Sequence, residues 1–206
     1  MQYFDSLPKV VYRDKNGNLS LRTNLLARAS FIPETLKNPM LYYQYDIQEG
    51  DTPEIVAHKY YNDMYRYWIV LFANQMLDPQ WSWPLSSNQF EAHLKNKYGY
   101  DSTTGDWVTN PYSTVHHYTK TITQYDSTTF NTTTHEIDID ADTYDSLTTG
   151  TTNYNLPTGQ VSVTVEKSAV SCYEYETNLN ESKRTINLLN VRYVDEMETE
   201  FLKLMS

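Results

Sequence analysis

Three groups of residues carry types and spacings that could do chemistry: His116-His117 with His135-Glu136, the aspartates Asp138, Asp140 and Asp142, and the indoles Trp81 and Trp83. The histidines suggest a metal. Neighbouring residues of a strand point to opposite faces, however, so His116 and His117 are not expected to chelate jointly, and no H-E-x-x-H is present. The aspartates open like a calcium loop, but the position that needs glycine is Thr143 and the one that needs a bidentate glutamate is Thr149. On a strand they would share one face as a solvated acidic ridge. Nucleophile elbow, phosphate loop and zinc ribbon are all missing from the sequence, which lowers the standing of an enzyme without excluding one. The expectation is no catalytic residue, no cofactor and no metal. Trp81 and Trp83 have flat apolar faces that could stack on sugar rings or pack on a protein.

The chain has 206 residues, a formal net charge of −10 and a pI near 4.9. That length allows one domain or two small ones with a real core. The acidic balance argues against nucleic acid, whose phosphates need clustered Lys and Arg, and favours a basic or neutral protein partner. It also discourages premature self-association. Cys172 is the single cysteine, so no internal disulfide forms. The start, MQYFDSLPKVVYRDK, has no apolar signal core, and no run approaches the roughly 20 apolar residues of a membrane span. Tyrosine is the unusual count, 19 residues beside four tryptophans. Such density marks surfaces where proteins meet; the competing explanation is the preference of Tyr for exposed strands.

The stretch that positions the rest runs from Tyr42 to Pro84. An aromatic strand closes at Ile47, Gly50 reverses the chain, Thr52 stands as an N-cap and Pro53 starts a helix. Val56, Ala57 and Tyr60 recur at helical spacing, and Glu54 lies in the first turn where the helix dipole favours a carboxylate. Asn62-Asp63 ends that helix. A second follows through Met64, Trp68, Leu71 and Phe72, so two short helices must pack on a small strand layer. Asp78-Pro79 and Trp81-Ser82-Trp83-Pro84 give an extended, proline-punctuated exit.

Upstream, Lys9–Arg13 and Leu19–Arg22 read as a hairpin around Asn16-Gly17. Tyr3, Phe4 and Leu7 look like an anchor, a frayed terminus being the other reading, and Leu25, Leu26 and Ala29 could form a helical turn. Downstream, Ser87 begins a third helix through Phe90, Leu94 and Tyr98, ended by Gly99. Thr114–Gln124, Thr134–Asp140 and Gln160–Glu166 alternate at period two and read as strands of a Thr-rich region, a protruding contact region or a solvated decoration. Cys172–Thr177 reads as a last strand and Asn180–Leu189 as a loop and short turn, with Lys183 and Arg184 conspicuous in an acidic chain. Val194, Met197, Phe201 and Leu204 make one apolar stripe on a closing helix, which packs on the chain's own β-region or docks into a neighbour.

The pattern from Tyr45 and Ile47 through Gly50-Asp51-Thr52-Pro53-Glu54, Val56-Ala57 and Lys59-Tyr60-Tyr61 to Asn74 resembles LysM modules. The Tyr67-Trp68 pair, Asp78-Pro79 and Trp83-Pro84 are similar, more narrowly, to the LysM-like baseplate wedge protein family of contractile-tailed, T-even-like bacteriophages. The likeness continues in the P-L-S-x-x-x-F run ending in K-Y-G and resumes at Tyr173-Glu174-Tyr175-Glu176, Asn180–Ile186 and the closing helix; it is weakest from 100 to 168. It implies a structural subunit of the tail baseplate in the virion, assembled in the host cytoplasm. It also implies that the subunit holds adjacent wedges together around the hub, in six copies.

The expected fold is α+β: an N-terminal arm over 1–41, a LysM-like strand-helix-helix module with an extra helix over 42–99, and a β-rich region closing with a helix over 100–206. The expected partners are other wedge and hub proteins, with no nucleic acid and no membrane. Protein-contact candidates are Tyr67, Trp68, Trp81, Trp83, Lys183, Arg184, Phe201 and Leu204, Trp68 reading equally as core. The alternative is a cell-wall glycan module that binds N-acetylglucosamine polymers near Gly50–Thr52 and Asn74–Leu77, with or without murein hydrolysis. The usual closing strand of a LysM module, with its G-Q-x-L-x-I-P pattern, is not found after the second helix, which leaves one wall of that groove unaccounted for.

Overall fold

The computed structural model describes residues 3–157 and 159–205. It is an α+β protein. In chain order the elements are β1 (Lys9–Arg13), β2 (Leu19–Thr23), α1 (Pro33–Lys37), β3 (Tyr42–Asp46), α2 (Pro53–Tyr61), α3 (Tyr67–Ala73), α4 (Pro79–Ser82) and α5 (Ser87–Tyr98). Then come β4 (Tyr100–Asp101), β5 (Asp106–Trp107), β6 (Val115–Asp126), β7 (Asn131–Ile139), α6 (Ala141–Ser146), β8 (Gly150–Leu156) and β9 (Gly159–Ser171). The chain closes with α7 (Cys172–Glu181), β10 (Thr185–Leu189) and α8 (Val194–Met205). It forms two compact units: residues through Ser87 together with those from Asn180 on, and Asn88–Leu179.

In the first unit the local signals act as their chemistry dictates. Gly50 takes a left-handed φ of 82° at the turn after β3. Thr52 then accepts a hydrogen bond from the Ile55 N–H, Pro53 fills the first helical position, and Asn62 ends α2 in the left-handed region. Helix α3 is apolar nearly all round, and Trp68, Ile69, Val70, Leu71 and Ala73 are all buried. Beneath α2 and α3 lies a two-stranded antiparallel sheet of β3 and β10, in register from Thr185 against Asp46 to Leu189 against Tyr42.

That pairing corrects the loop and short turn expected over Asn180–Leu189: a turn does precede Thr185, but Thr185–Leu189 is a strand. Ile186, Leu188 and Leu189 are buried, so the strand that closes the two helices comes from the far end of the chain. Helix α8 adds Val194, Phe201 and Met205 to the same core, with Met197 partly buried. The apolar stripe therefore runs through Met205, and Leu204 lies outside it. The stripe packs on α3 of its own unit, where Phe201 and Trp68 have ring centroids 4.8 Å apart. Arg66 fixes the helix from outside through Glu198 at 3.0 Å and Asp195 at 3.1 Å.

The N-terminal arm is anchored by Leu7, which is buried, and by Tyr3, whose ring meets Trp68, Phe72 and Phe201. Phe4 points outward. No helical turn forms at Leu25-Leu26; the short helix begins instead at Pro33, whose fixed φ suits a first helical position. The exit through Asp78-Pro79 is not extended either, because Asp78 caps α4 by accepting from the Gln80 N–H.

The second unit carries a four-stranded antiparallel sheet in the order β7-β6-β9-β8. Strands β7 and β8 are exposed along almost their whole length. Cross-strand Thr pairs such as Thr151 with Thr164, 2.9 Å apart, help hold a sheet that has little apolar surface to bury. Cys172–Thr177, expected as a strand, belongs instead to helix α7. Tyr173 and Tyr175 alternate with Glu174 and Glu176, but Cys172 and Glu176, one helical turn apart, are the buried side chains.

Candidate functional site

The turn between β3 and α2 is a knot of side chains around Asp51. Its buried carboxylate accepts from the Tyr45 hydroxyl at 2.7 Å, the Gln48 N–H at 3.1 Å and the Lys59 ammonium at 2.6 Å. Burial pushes the carboxyl up, but the hydrogen bonds from Lys59, Tyr45 and Gln48 together outweigh it and hold it below the usual range. The backbone carbonyl of Asp51 accepts from the Trp83 indole N–H at 2.8 Å.

At the other end of the helices, Asn74 does the same for the distant strand. Its amide donates to the Val70 and Asn187 carbonyls, each at 2.8 Å, and accepts from the Asn187 N–H at 2.8 Å. Tyr61 adds a hydrogen bond from its hydroxyl to the Leu189 carbonyl at 3.0 Å. Asp51, Trp83 and Asn74 are thereby committed to holding the fold, and little of their polar capacity faces outward.

The sequence candidates separate by burial. Trp81 is 63% exposed whereas Trp83, two residues on, is 9% exposed. Leu204 is exposed and Tyr67 is half-buried. Trp68 and Phe201 lie in the interior of the first unit, so they shape a surface without forming it. Lys183 donates to the Trp81 carbonyl at 2.8 Å. Arg184 meets Glu181 at 2.6 Å and Glu49 at 3.8 Å, and both basic residues are half-buried. They join the segment before β10 to α4 and to the turn after β3.

Sequence reasoning missed a groove of about 290 Å³ in the first unit, lined by Tyr3, Leu25, Arg28, Tyr67, Phe72 and Leu77 among others. Tyr3, Leu25, Tyr67 and Leu77 each stood out in the sequence, but nothing there joined them into one surface. In the second unit the main polar cluster surrounds Glu176, which is buried and receives Lys97 at 2.5 Å, Tyr98 at 3.1 Å and His93 at 3.3 Å. Burial raises its carboxyl and these partners more than reverse that, leaving it below the ordinary range.

The chemistry-bearing residues resolve differently from their expectation. A bulge between Val115 and His117 breaks the alternation of β6, so the two histidine rings meet with their Nδ1 atoms 2.9 Å apart, and His116 stacks on Tyr175 at 3.8 Å. Among the described residues no three His, Cys, Asp or Glu side chains converge as a metal site would require. Asp138, Asp140 and Asp142 do not share a strand face: β7 ends at Ile139, and Asp140 caps α6 by accepting from the Thr143 N–H at 2.7 Å. Cys172 is buried and reduced. No helix among the described residues is long and apolar enough to cross a membrane.

A pinned turn and a strand recruited from the far end of the chain close the core of the first unit. No curated protein matches the chain. Residues 34–204, well over half of the chain, match the phage family described as Base plate wedge protein 53, and the protein belongs to that family of structural subunits of the virion tail baseplate.

Proposed function

We propose that this subunit joins neighbouring wedges of the baseplate around the central hub, in six copies per baseplate, and that it performs no catalysis. The observation that supports this reading best is that each unit carries aromatic or apolar surface of its own. In the first, Trp81, Leu77 and Leu204 are exposed; in the second, Tyr125, Phe130 and Tyr154 are. A subunit with separate small surfaces can hold more than one neighbour, and each weak contact becomes strong when the others fix its effective concentration. Closed rings favour such a part because heterologous contacts repeat around the axis. The strand-helix-helix-strand core serves as a LysM-like module whose turn and exit have been turned to scaffolding, with Tyr67, Trp81 and Leu204 as contact side chains and Lys183 and Arg184 at the rim.

The test is the copy number of this chain in purified virions, by quantitative mass spectrometry against a tail component of known count, together with assembly in its absence. Six copies, and wedges that accumulate unjoined without the protein, are expected. Another stoichiometry, or joined wedges without it, would overturn the reading.

A further inference from the structure

The hairpin of β1 and β2 lies before residue 34, where the family match begins. Lys9, Arg13, Lys15 and Arg22 stand there against one carboxylate, Asp14, a local net charge of +3 in a chain of −10. Asp14 is turned to the hairpin's own tip, where it accepts from the N–H groups of Asn16 at 2.9 Å and Asn18 at 2.8 Å. Gly17, with φ of 86°, completes that turn.

The register sets Val11 opposite Leu21 and Arg13 opposite Leu19, so these four and Lys9 share one face. Val11 is 67% exposed, Leu19 64% and Leu21 65%. Lys9 and Arg13 flank this apolar strip and pair with no carboxylate among the described residues. On the opposite face Arg22 is already engaged, its guanidinium 4.0 Å over the Tyr12 ring. A bare two-stranded hairpin is marginal in water. This one is fastened at its base, where the Asn24 N–H meets the Pro8 carbonyl at 2.8 Å beside the buried Leu7.

We propose that the Lys9/Val11/Arg13/Leu19/Leu21 face is a docking surface for another baseplate protein. The surface it fits presents an apolar strip bordered by carboxylates. The charge of the face selects an acidic partner, since its two free cations lose solvation on docking and need carboxylates in return. Its apolar centre provides the buried core of the contact, with the cations at the rim. The inference rests on the baseplate location and is independent of whether the subunit joins wedges.

The test places a photo-crosslinking amino acid at Val11, and separately at Leu21, in the full chain supplied to assembling phage, and reads the joined peptides from purified particles. The expected result is a single crosslinked segment of a different baseplate protein, rich in Asp and Glu. In parallel, Lys9→Glu with Arg13→Glu should cut incorporation into particles at least tenfold while the purified variant unfolds at the same temperature as the parent; Lys9→Arg with Arg13→Lys should retain incorporation. Crosslinks to a second copy of this chain, to a segment without carboxylates, or to nothing would overturn the proposal, as would normal incorporation of the charge-reversed variant. Absence of the parent chain from particles would instead refute the baseplate location.

Discussion

The indole N–H of Trp83 donates to the backbone carbonyl of Asp51 at 2.8 Å, across 32 residues of sequence. One hydrogen bond thus ties the exit of the module to the turn that opens it, and the same Asp51 holds that turn through its side chain. Trp83→Phe keeps most of the packing and leaves a buried carbonyl without its donor. The expected loss is about 1–3 kcal/mol, the cost of one unsatisfied buried group. Trp81→Phe touches an exposed ring and should change stability by no more than about 0.5 kcal/mol. Urea denaturation of both variants checks this, and equal losses would show that the indole bond does not fasten the exit.

Asn74 makes two hydrogen bonds that join the end of α3 to the middle of β10, and a third back to the Val70 carbonyl of its own helix. Asn74→Ala strips both the Asn187 N–H and its carbonyl of their partner, on a strand whose other edge is already paired with β3. A destabilisation of about 2–4 kcal/mol is expected, from two backbone groups left unpaired. Amide exchange should quicken first over Thr185–Leu189. Unchanged protection there would remove the role assigned to Asn74.

These two residues also show what could be read in advance. Gly50, Thr52-Pro53 and Asn62 govern only the few residues around them, so their chemistry fixed the turn and both ends of α2 from sequence. Strand β10 could not be read that way. It is five residues long, its buried positions do not alternate cleanly, and its partner Asp46 lies 139 residues from Thr185. Helix α7 was missed because its Tyr and Glu residues alternate like a strand; a carboxylate buried among Lys97, His93 and Tyr98 is information that only packing supplies. The aromatic candidates were found by type, but Trp81 and Trp83 differ in burial because α4 turns between them. The histidine pair came together through a bulge, a local irregularity that period-two reasoning excludes by construction.

Leu85 and Asn180 stand at the points where the chain leaves and re-enters the first unit. The Leu85 N–H donates to the Asn180 side-chain oxygen at 2.7 Å, and the Asn180 amide donates back to the Leu85 carbonyl at 3.1 Å. Ends so close can be joined by a short loop at little entropic cost. Replacing residues 88–179 by a short Gly-Ser linker should therefore give a folded protein with β3 and β10 still paired. A cooperative thermal transition and dispersed amide resonances are the expected readouts. Truncation after Arg184, which removes β10 and α8, should instead abolish folding, because Ile186, Leu188 and Phe201 all belong to the same buried core. A truncated chain with a cooperative transition would show that the core does not need its distant strand.

Acid should unfold the protein through Asp51 and Glu176, one in each unit. Both carboxyls are raised by burial and lowered further by their hydrogen-bonding partners, so each titrates in the folded state below its usual value. A carboxyl whose folded pKa is depressed binds fewer protons folded than unfolded. Its stabilisation is complete above the unfolded values, about 3.9 for Asp and 4.3 for Glu, and is lost as pH falls through them toward the folded values. The melting temperature should be flat from about pH 7 to 5 and then fall steeply on going to about pH 3. Asp51→Asn and Glu176→Gln should each lower the melting temperature at neutral pH, because an amide cannot replace the charge that Lys59 or Lys97 meets. Each should also make the acid limb shallower, since the titrating group is gone. Calorimetry at intervals of about half a pH unit resolves both effects, and an acid limb as steep in the double variant as in the parent would assign the acid sensitivity to other carboxylates.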